Sequence, residues 1–511
     1  MKLALVGIIK NEAHDILYWL GWHARLGINS FILFDDDSDD GTRALIRAAC
    51  VHWDIRLFHI REHSLDLTEQ SHLKRQQQVY CDALNAVKGQ FDWVGLFDTD
   101  EYLTLCEHET LPDFLATMGT DVGAVALHWR VYGHNGHITA PTLPPSHSFI
   151  QHSMVEEAIN RHVKCFIRPS YWDQKSWVNV HYFPLKKGQY VTASGKPVTW
   201  SAEAQGITAE QADWSVAFLR HFQNRSVEQF VERTRNRKDI HLNLADVNFS
   251  QWNELEDHSP RAVTASLLNW VRPVITSGAV SALEQLHRRH PPLTKHLPPS
   301  STQNPSSFTI FALYPKEERH LGLKEGLIQD VEAQELEQHK NGVGLFMLQS
   351  RRVPTAAFLF ALDQNHKIVD FALLGDGRLG GLPRYDLLPI MEQKAIVLRQ
   401  KGGFSRRGYF LSAPPKEPLT TNRLKADMWE CFTAIPQPTL PTGQSWLTFP
   451  TLNLAEMLLT APALTLEDIS LLTALDRHIT TWLLPLLAAH LDEAEARTLR
   501  SYLGPFAPFI L

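Results

Sequence analysis

Three carboxylates gather where an apolar run ends. The segment Trp93-Val94-Gly95-Leu96-Phe97 is followed at once by Asp98-Thr99-Asp100-Glu101. Hard oxygen donors of this kind suit Mg²⁺ or Mn²⁺. A cation held there would bridge the diphosphate of a nucleotide and neutralise charge building on it as a leaving group. An Asp-x-Asp triplet alone is a weak sign, because solvated turns carry it too. A second acidic cluster, Asp35-Asp36-Asp37-Ser38-Asp39-Asp40-Gly41-Thr42, closes the run Phe31-Ile32-Leu33-Phe34. Asp-Gly is turn chemistry. Acids crowded this closely also repel one another, and they favour a partner that donates hydrogen bonds, such as a nucleobase imide or a ribose hydroxyl.

The elements around these clusters raise the weight of both. Leu3–Ile9, Phe31–Phe34, Ile55–His59 and Trp93–Phe97 are apolar runs of strand length. Between them, 15–26, 42–49 and 68–87 carry helical periodicity. This β-α-β-α-β-α-β alternation predicts a mostly parallel sheet with helices on both faces. Ligands of such sheets bind outside the carboxyl ends of the strands, where both acid clusters fall. Val122–His128, Val163–Arg168 and Val178–Phe183 read as further strands, and Ser226–Arg237 as a helix capped by Ser226. The expected organisation is an α/β domain over 1–245, a helical connector with a Pro/Ser-rich linker over 246–304, and a separate α+β domain over 305–511 with a helical end. Within the connector, 261–273 and 278–289 read as helices. Within the last domain, strands are expected at Phe308–Leu313, Val343–Gln349, Ala356–Ala361 and Ile368–Leu374. Leu466–Leu503 reads as helical apart from Pro485.

Composition narrows the function classes. With 511 residues the chain exceeds one core. Its net charge of −7 offers no global attraction to nucleic acid or anionic lipid. Five cysteines without a CxxC pair fit reduced, structural thiols of a cytoplasmic protein. No stretch nears the roughly 20 apolar residues of a membrane span, which leaves peripheral contact with the inner membrane face. Gly375-Asp376-Gly377-Arg378-Leu379-Gly380-Gly381 has the look of a phosphate cradle but lacks a following helix and lysine, so it reads as a flexible turn.

Several ordered blocks together resemble the GT-A glycosyltransferases of the family 2 and family 92 type. They are Lys10-Asn11-Glu12, Trp19 to Gly27 with His23 inside, the two acid clusters, Gly133-His134-Asn135-Gly136-His137, Lys164-Cys165-Phe166-Ile167-Arg168-Pro169 with His181, and Arg220-His221-Phe222-Gln223-Asn224-Arg225-Ser226 with Glu228 and Phe230. The resemblance ends near residue 245. It implies a GT-A domain that transfers a sugar, with inversion, from a UDP- or GDP-sugar donor to a hydroxyl of a glycan or glycolipid. It also implies Mn²⁺ or Mg²⁺ on Asp98, Asp100 and His221. Asp36 would contact the nucleobase, and Asp98 the ribose or the metal. Lys10, Asn11 and Glu12 would lie near the nucleotide, with Lys164 and Arg168 at phosphates or acceptor. Phe222 stands where tyrosine is usual, and Asp37 adds a charge where small or amide residues are common, so nucleotide preference stays open.

Inverting transfer needs a base within reach of the acceptor hydroxyl. Glu157 and Asp213 are the candidates, Glu157 ahead. Trp129, Trp172, Trp177 and Trp214 are either core or sugar-stacking residues. Two other readings compete. A nucleotidyltransferase would need a glycine-rich basic loop after the first strand, and Gly7-Ile8-Ile9-Lys10-Asn11-Glu12 is not one. A carbohydrate-binding or scaffold role suits 305–511 better than the acid-bearing front half.

Overall fold

A computed structural model describes residues 1–60, 72–174, 179–236, 251–291, 305–316, 319–335, 340–373, 375–390, 395–403, 408–474 and 476–511. The chain divides into two compact units, Met1–Val271 and Arg272–Leu511, with the division inside one helix, Thr264–Arg289.

The first unit opens as β1 (Leu3–Ile9), α1 (Ile16–Arg25), β2 (Ser30–Asp35), α2 (Thr42–Ala49), β3 (Asp54–His59), α3 (His72–Ala86) and β4 (Trp93–Leu96). It continues with β5 (Glu101–Leu105), α4 (Leu111–Ala116), β6 (Val122–Val131), β7 (Val163–Ile167), β8 (Gln189–Thr192), β9 (Ala217–His221) and α5 (Val227–Asn236). The strand order is β3-β2-β1-β4-β7-β6-β9-β5, and β8 also pairs with β6. β1, β2, β3 and β4 are mutually parallel. β7 runs against both β4 and β6, so β6 returns to the direction of β4. β9 lies parallel to β6, and β5 runs against β9. This is the expected mixed, parallel-rich sheet. Every residue of β1 and β2 is buried, as continuous apolar strands covered on both faces require.

Strand direction sorts the residues. The carboxyl ends of β1, β2, β4, β6 and β9 meet at one sheet edge. The antiparallel β5 and β7 bring their amino ends, Glu101 and Val163-Lys164, to that same edge. Arg168 follows the far end of β7 and therefore lies at the opposite edge.

Three local expectations change. Residues 179–183 form a turn instead of a strand, because the Asn179 side chain accepts from the His181 N–H at 2.7 Å; 178 lies outside the described residues, as do 61–71 and 237–250. The helices expected at 261–273 and 278–289 are one helix, Thr264–Arg289, with Pro273 inside it. Gly278 does not interrupt that helix, because it lies against the Phe506 ring, where a side chain would collide. The strand expected at Ile368–Leu374 is only Ile368–Val369, and 374 lies outside the described residues. β5 and β9 are strands through their pairing with each other, a contact between distant segments that local pattern does not announce.

The second unit is β-rich. Phe308–Pro315 pairs with Val343–Ser350 and Phe432–Pro436. Val343–Ser350 pairs with Ala356–Asp363, which pairs with Arg384–Ile390. Arg384–Ile390 pairs with Ala395–Gln400, which returns to Phe432–Pro436. The antiparallel ring is thus closed and leaves no free edge along its path. Leu313, Leu345, Met347, Leu359, Leu398 and Phe432 fill its core. Helices Pro450–Leu459, Leu466–Ser470, Arg477–Ala488 and Glu493–Leu503 follow, and Pro485 is accommodated inside the third. The glycine-rich 375–381 stretch is no flexible turn. Asp376 and Arg378 are buried and paired, and Tyr385 donates to Asp376 at 2.8 Å. All five cysteines are free thiols. Among the described residues, no helix is long and apolar enough to cross a membrane.

His23 locks α1 onto β5. Its Nδ1–H donates to the Trp19 carbonyl at 2.8 Å, and its Nε2 accepts the Leu103 N–H at 3.3 Å. Burial pushes its pKa down to about 3. A depressed histidine contributes stability that is present above its unfolded pKa of ~6.5 and is lost as pH falls toward the folded value. His23→Gln should therefore lower stability at pH 7. It should also flatten the limb between pH ~6 and ~4, by up to ~1.4 kcal/mol per pH unit, in urea denaturation across pH.

Candidate active site

A cavity of about 730 Å³ opens at the carboxyl edge of the first unit's sheet. Lys10, Asn11 and Glu12 from the β1–α1 loop line it, with Asp98, Thr99 and Asp100 after β4. His221 at the end of β9 and Asn224, Arg225 and Arg233 around α5 complete the polar wall.

One buried cation organises the acid triplet. Lys164 Nζ lies 3.0 Å from Asp98 Oδ2 and 3.8 Å from Glu101 Oε2, and its side chain is 0% exposed. Burial pushes the Asp98 carboxyl up, but Lys164 outweighs it and holds the group below its ordinary value. For Glu101, burial prevails over Lys164 and raises the carboxyl well above its ordinary value. One lysine thus shifts the two carboxyls in opposite senses, because it stands at 3.0 Å from the partly exposed Asp98 and at 3.8 Å from the fully buried Glu101. Glu101 is a positioning group. Its Oε1 accepts from Trp129 Nε1 at 2.7 Å and its Oε2 from the Asp98 N–H at 2.8 Å. Asp98 Oδ1 is held by Gln76 at 2.5 Å and Tyr80 at 3.2 Å.

Asp100 faces the cavity differently. Its side chain is 4% exposed, with His221 Nε2 3.6 Å from Oδ1 and Arg233 Nη2 2.8 Å from Oδ2. Burial pushes its carboxyl up, yet Arg233 and His221 hold it well below its ordinary value. Asp100 Oδ2 and His221 Nδ1 are buried and lack any aligned hydrogen bond. Among the described residues, no three His, Cys, Asp or Glu side chains converge to cage an ion. Asp98, expected as a third ligand, is turned toward Lys164. The pair Asp100 and His221 nevertheless fits Mg²⁺ or Mn²⁺, which usually take one or two protein donors and complete their shell with water and substrate phosphates. Asp100 Oδ2 is the orphaned oxygen donor, and His221 Nε2 is the ring nitrogen turned toward Asp100.

A second ion-pair knot ties the first loop to α5. Arg225, at φ 51°, reaches Glu12 at 2.7 Å and Asp15 at 3.0 Å. Its Nε and Nη2 are buried without a hydrogen-bond partner. Ser226 caps α5 reciprocally with Gln229, donating to Oε1 at 3.0 Å and accepting the Gln229 N–H at 3.2 Å. Gln229, Glu232 and Arg233 then fall on one helix face by their i, i+3, i+4 spacing, and all three line the cavity.

The remaining expected residues are placed as follows. Lys10 lines the cavity and donates to the Asp36 carbonyl at 2.9 Å. Asn11 caps the acidic loop by accepting the Asp39 N–H at 2.9 Å. Asp36 is outside the lining, its carboxylate paired with Arg75 at 2.7 Å. Its neighbours in that cluster have partners as well: Asp37 meets His59 at 2.9 Å, and Asp40 accepts from Thr42 and Ala13. Arg168 is away from the cavity, donating to the Val122 carbonyl and lying over the Trp93 ring. Glu157 is exposed and outside the lining. Asp213 is also outside it, bound to Ser194 and Ser215. Trp129 lines the cavity, but His162 stacks on it at 5.0 Å and His221 approaches at 4.2 Å, leaving little ring face for a sugar. Trp172 is core. Trp214 donates to the Trp129 carbonyl under Arg130. Trp177 lies outside the described residues. Arg233, Gln229 and Gln76 were missed; the helix-face spacing after Ser226 was the available signal for the first two.

Residues 8–257 match the model of glycosyltransferase family 92. A family 92 protein of Arabidopsis thaliana is 24% identical over 197 residues, 37% of this chain and 32% of that protein. One of Oryza sativa subsp. japonica is 22% identical over 189 residues, 37% of this chain and 30% of that protein. The chain thus spans about a third of the curated relatives' length. The solved structure of S. aureus TarS aligns over 86% of each chain at 9% identity, with a TM-score of 0.23, too low to bear on the fold.

Lys164→Met should destabilise the first unit by ~1–3 kcal/mol, because the partly exposed Asp98 and the buried Glu101 lose the cation they share. Adding Asp98→Asn should restore part of that loss. Urea denaturation at pH 7 of the wild type, both single variants and the double variant measures the coupling.

Proposed function

Because the N-terminal domain is glycosyltransferase family 92-like, we propose that this protein transfers a sugar from a nucleotide-sugar donor to a hydroxyl of a glycan or lipid-linked acceptor, with inversion. The observation that carries the reading is the Asp100–His221 pair beside Arg225 and Arg233 in one cavity at the carboxyl edge of the sheet.

Lys10, Arg225 and Arg233 form the basic part of the wall. Arg225 has buried N–H groups without partners, and a diphosphate satisfies such groups by charge-assisted hydrogen bonds. Asp100 and His221 would hold Mn²⁺ or Mg²⁺, which when bound supplies charge stabilisation to the diphosphate as it leaves. Asp98 is held rigidly by Gln76, Tyr80 and Lys164, a geometry suited to accepting from a ribose hydroxyl. In the transfer the acceptor oxygen bonds to the anomeric carbon. The bond from that carbon to the diphosphate oxygen breaks, and its electron pair leaves with the diphosphate. The acceptor's proton passes to a carboxylate. Asp39 and Glu232 line the cavity outside the ion pairs described above, and we assign base duty to one of them in place of Glu157 and Asp213.

A thermal-shift screen of UDP- and GDP-sugars with and without Mn²⁺ tests the donor. A ligand at a hundredfold excess over its Kd adds about 2.7 kcal/mol of apparent stability, and absence of any shift would favour a binding or scaffold role. Asp100→Ala should lose nucleotide-sugar turnover with its circular dichroism unchanged; full activity of that variant in chelator-treated buffer would overturn the metal assignment. Of Glu232→Gln and Asp39→Asn, one should lower kcat with donor KM preserved, the mark of a lost base.

A further inference from the structure

Arg233 is the described cation closest to Asp100. Its Nη2 stands 2.8 Å from Oδ2, the same oxygen that lacks any aligned hydrogen bond. The contact is one of charge at a poor angle, between a nearly buried carboxylate and a guanidinium that is 30% exposed. Arg233 also donates from Nη1 to the Gln223 carbonyl at 3.0 Å, which anchors the side chain at its present place. Two cations cannot share one carboxylate oxygen at contact distance without strong repulsion. The cavity beside Asp100 is otherwise lined by Arg225, Lys10 and Arg235, so a guanidinium released from Asp100 remains among groups that favour a polyanion.

We infer that Arg233 is a tethered counter-ion of Asp100, which a divalent cation must displace and whose guanidinium then joins the donor's diphosphate. The inference rests on the metal assignment proposed above and deepens it. In the ligand-free protein Arg233 neutralises Asp100 and weakens its hold on a bare metal ion. With a diphosphate present, the exchange costs little, because the planar guanidinium gains two phosphate oxygens for the one carboxylate oxygen it gives up. Metal and diphosphate thereby assist each other's binding through a residue of the chain, and the assistance is reciprocal. A cavity built this way discriminates against metal without donor.

Binding of Mn²⁺ alone, followed by the electron paramagnetic resonance of free Mn²⁺, tests the exchange in the wild type, Arg233→Gln and Arg233→Lys. Removing the competing charge should tighten Mn²⁺ roughly fivefold to tenfold in Arg233→Gln, with Arg233→Lys between the two. Inorganic pyrophosphate at saturating Mn²⁺, measured by calorimetry, should bind roughly tenfold more weakly to Arg233→Gln. An Mn²⁺ affinity that is unchanged or weaker in Arg233→Gln overturns the competition and leaves the metal assignment standing. Unchanged pyrophosphate affinity overturns the transfer of Arg233 to the diphosphate. If neither wild type nor variant binds Mn²⁺, this inference and the metal assignment fall together.

Discussion

The first unit is built around a lysine with no access to water. Lys164 enters on β7, a strand antiparallel to its neighbours, and meets Asp98 at the end of β4 and Glu101 at the start of β5. Taking Lys164 and Glu101 fully out of water, with Asp98 partly so, is costly unless their charges and hydrogen bonds are matched. The match is achieved by Lys164 between the two acids, with Trp129 and the Asp98 N–H donating to Glu101 and Gln76 and Tyr80 donating to Asp98. That arrangement fixes the turn between β4 and β5, and the turn places Asp100 in the cavity. It also orients Trp129 through Glu101, and Trp129 packs on His221. Buried charge at the base of the cavity thus determines where the cavity's own charged groups stand.

A second knot closes the opposite wall. Arg225 draws Glu12 and Asp15 toward the start of α5, joining the first loop of the domain to a segment more than 200 residues later. A non-glycine residue at φ 51° carries backbone strain. The two carboxylates and the capped helix that follows hold it there.

Much of this was legible in the chain. β1 and α2 have the bounds their apolar patterns predict, and the acids after β2 and β4 lie at one edge because parallel strands all end on the same side of the sheet. The acidic loop at 35–40 was harder to interpret. Five acids suggested a ligand, whereas the fold supplies partners from within, among them Arg75 to Asp36 and His59 to Asp37. Arg168 shows the same limit. It stands four residues from Lys164, and β7 carries the two to opposite edges of the sheet, one into the site and one onto Trp93.

Local pattern along the chain specifies the alternation of strands and helices, the run of acids at strand ends, and a second region of different character. Those are local properties, set by periodicity and by the cost of leaving apolar strands exposed. Which acid is paired, which has its carboxyl raised and which faces the cavity are settled by folding. Those outcomes depend on the distances between Lys164, Arg225 and Arg233 and their carboxylates. The pairing of β5 with β9 and the antiparallel entry of β7 create those distances, and both join segments too far apart in the chain for any local pattern to record them.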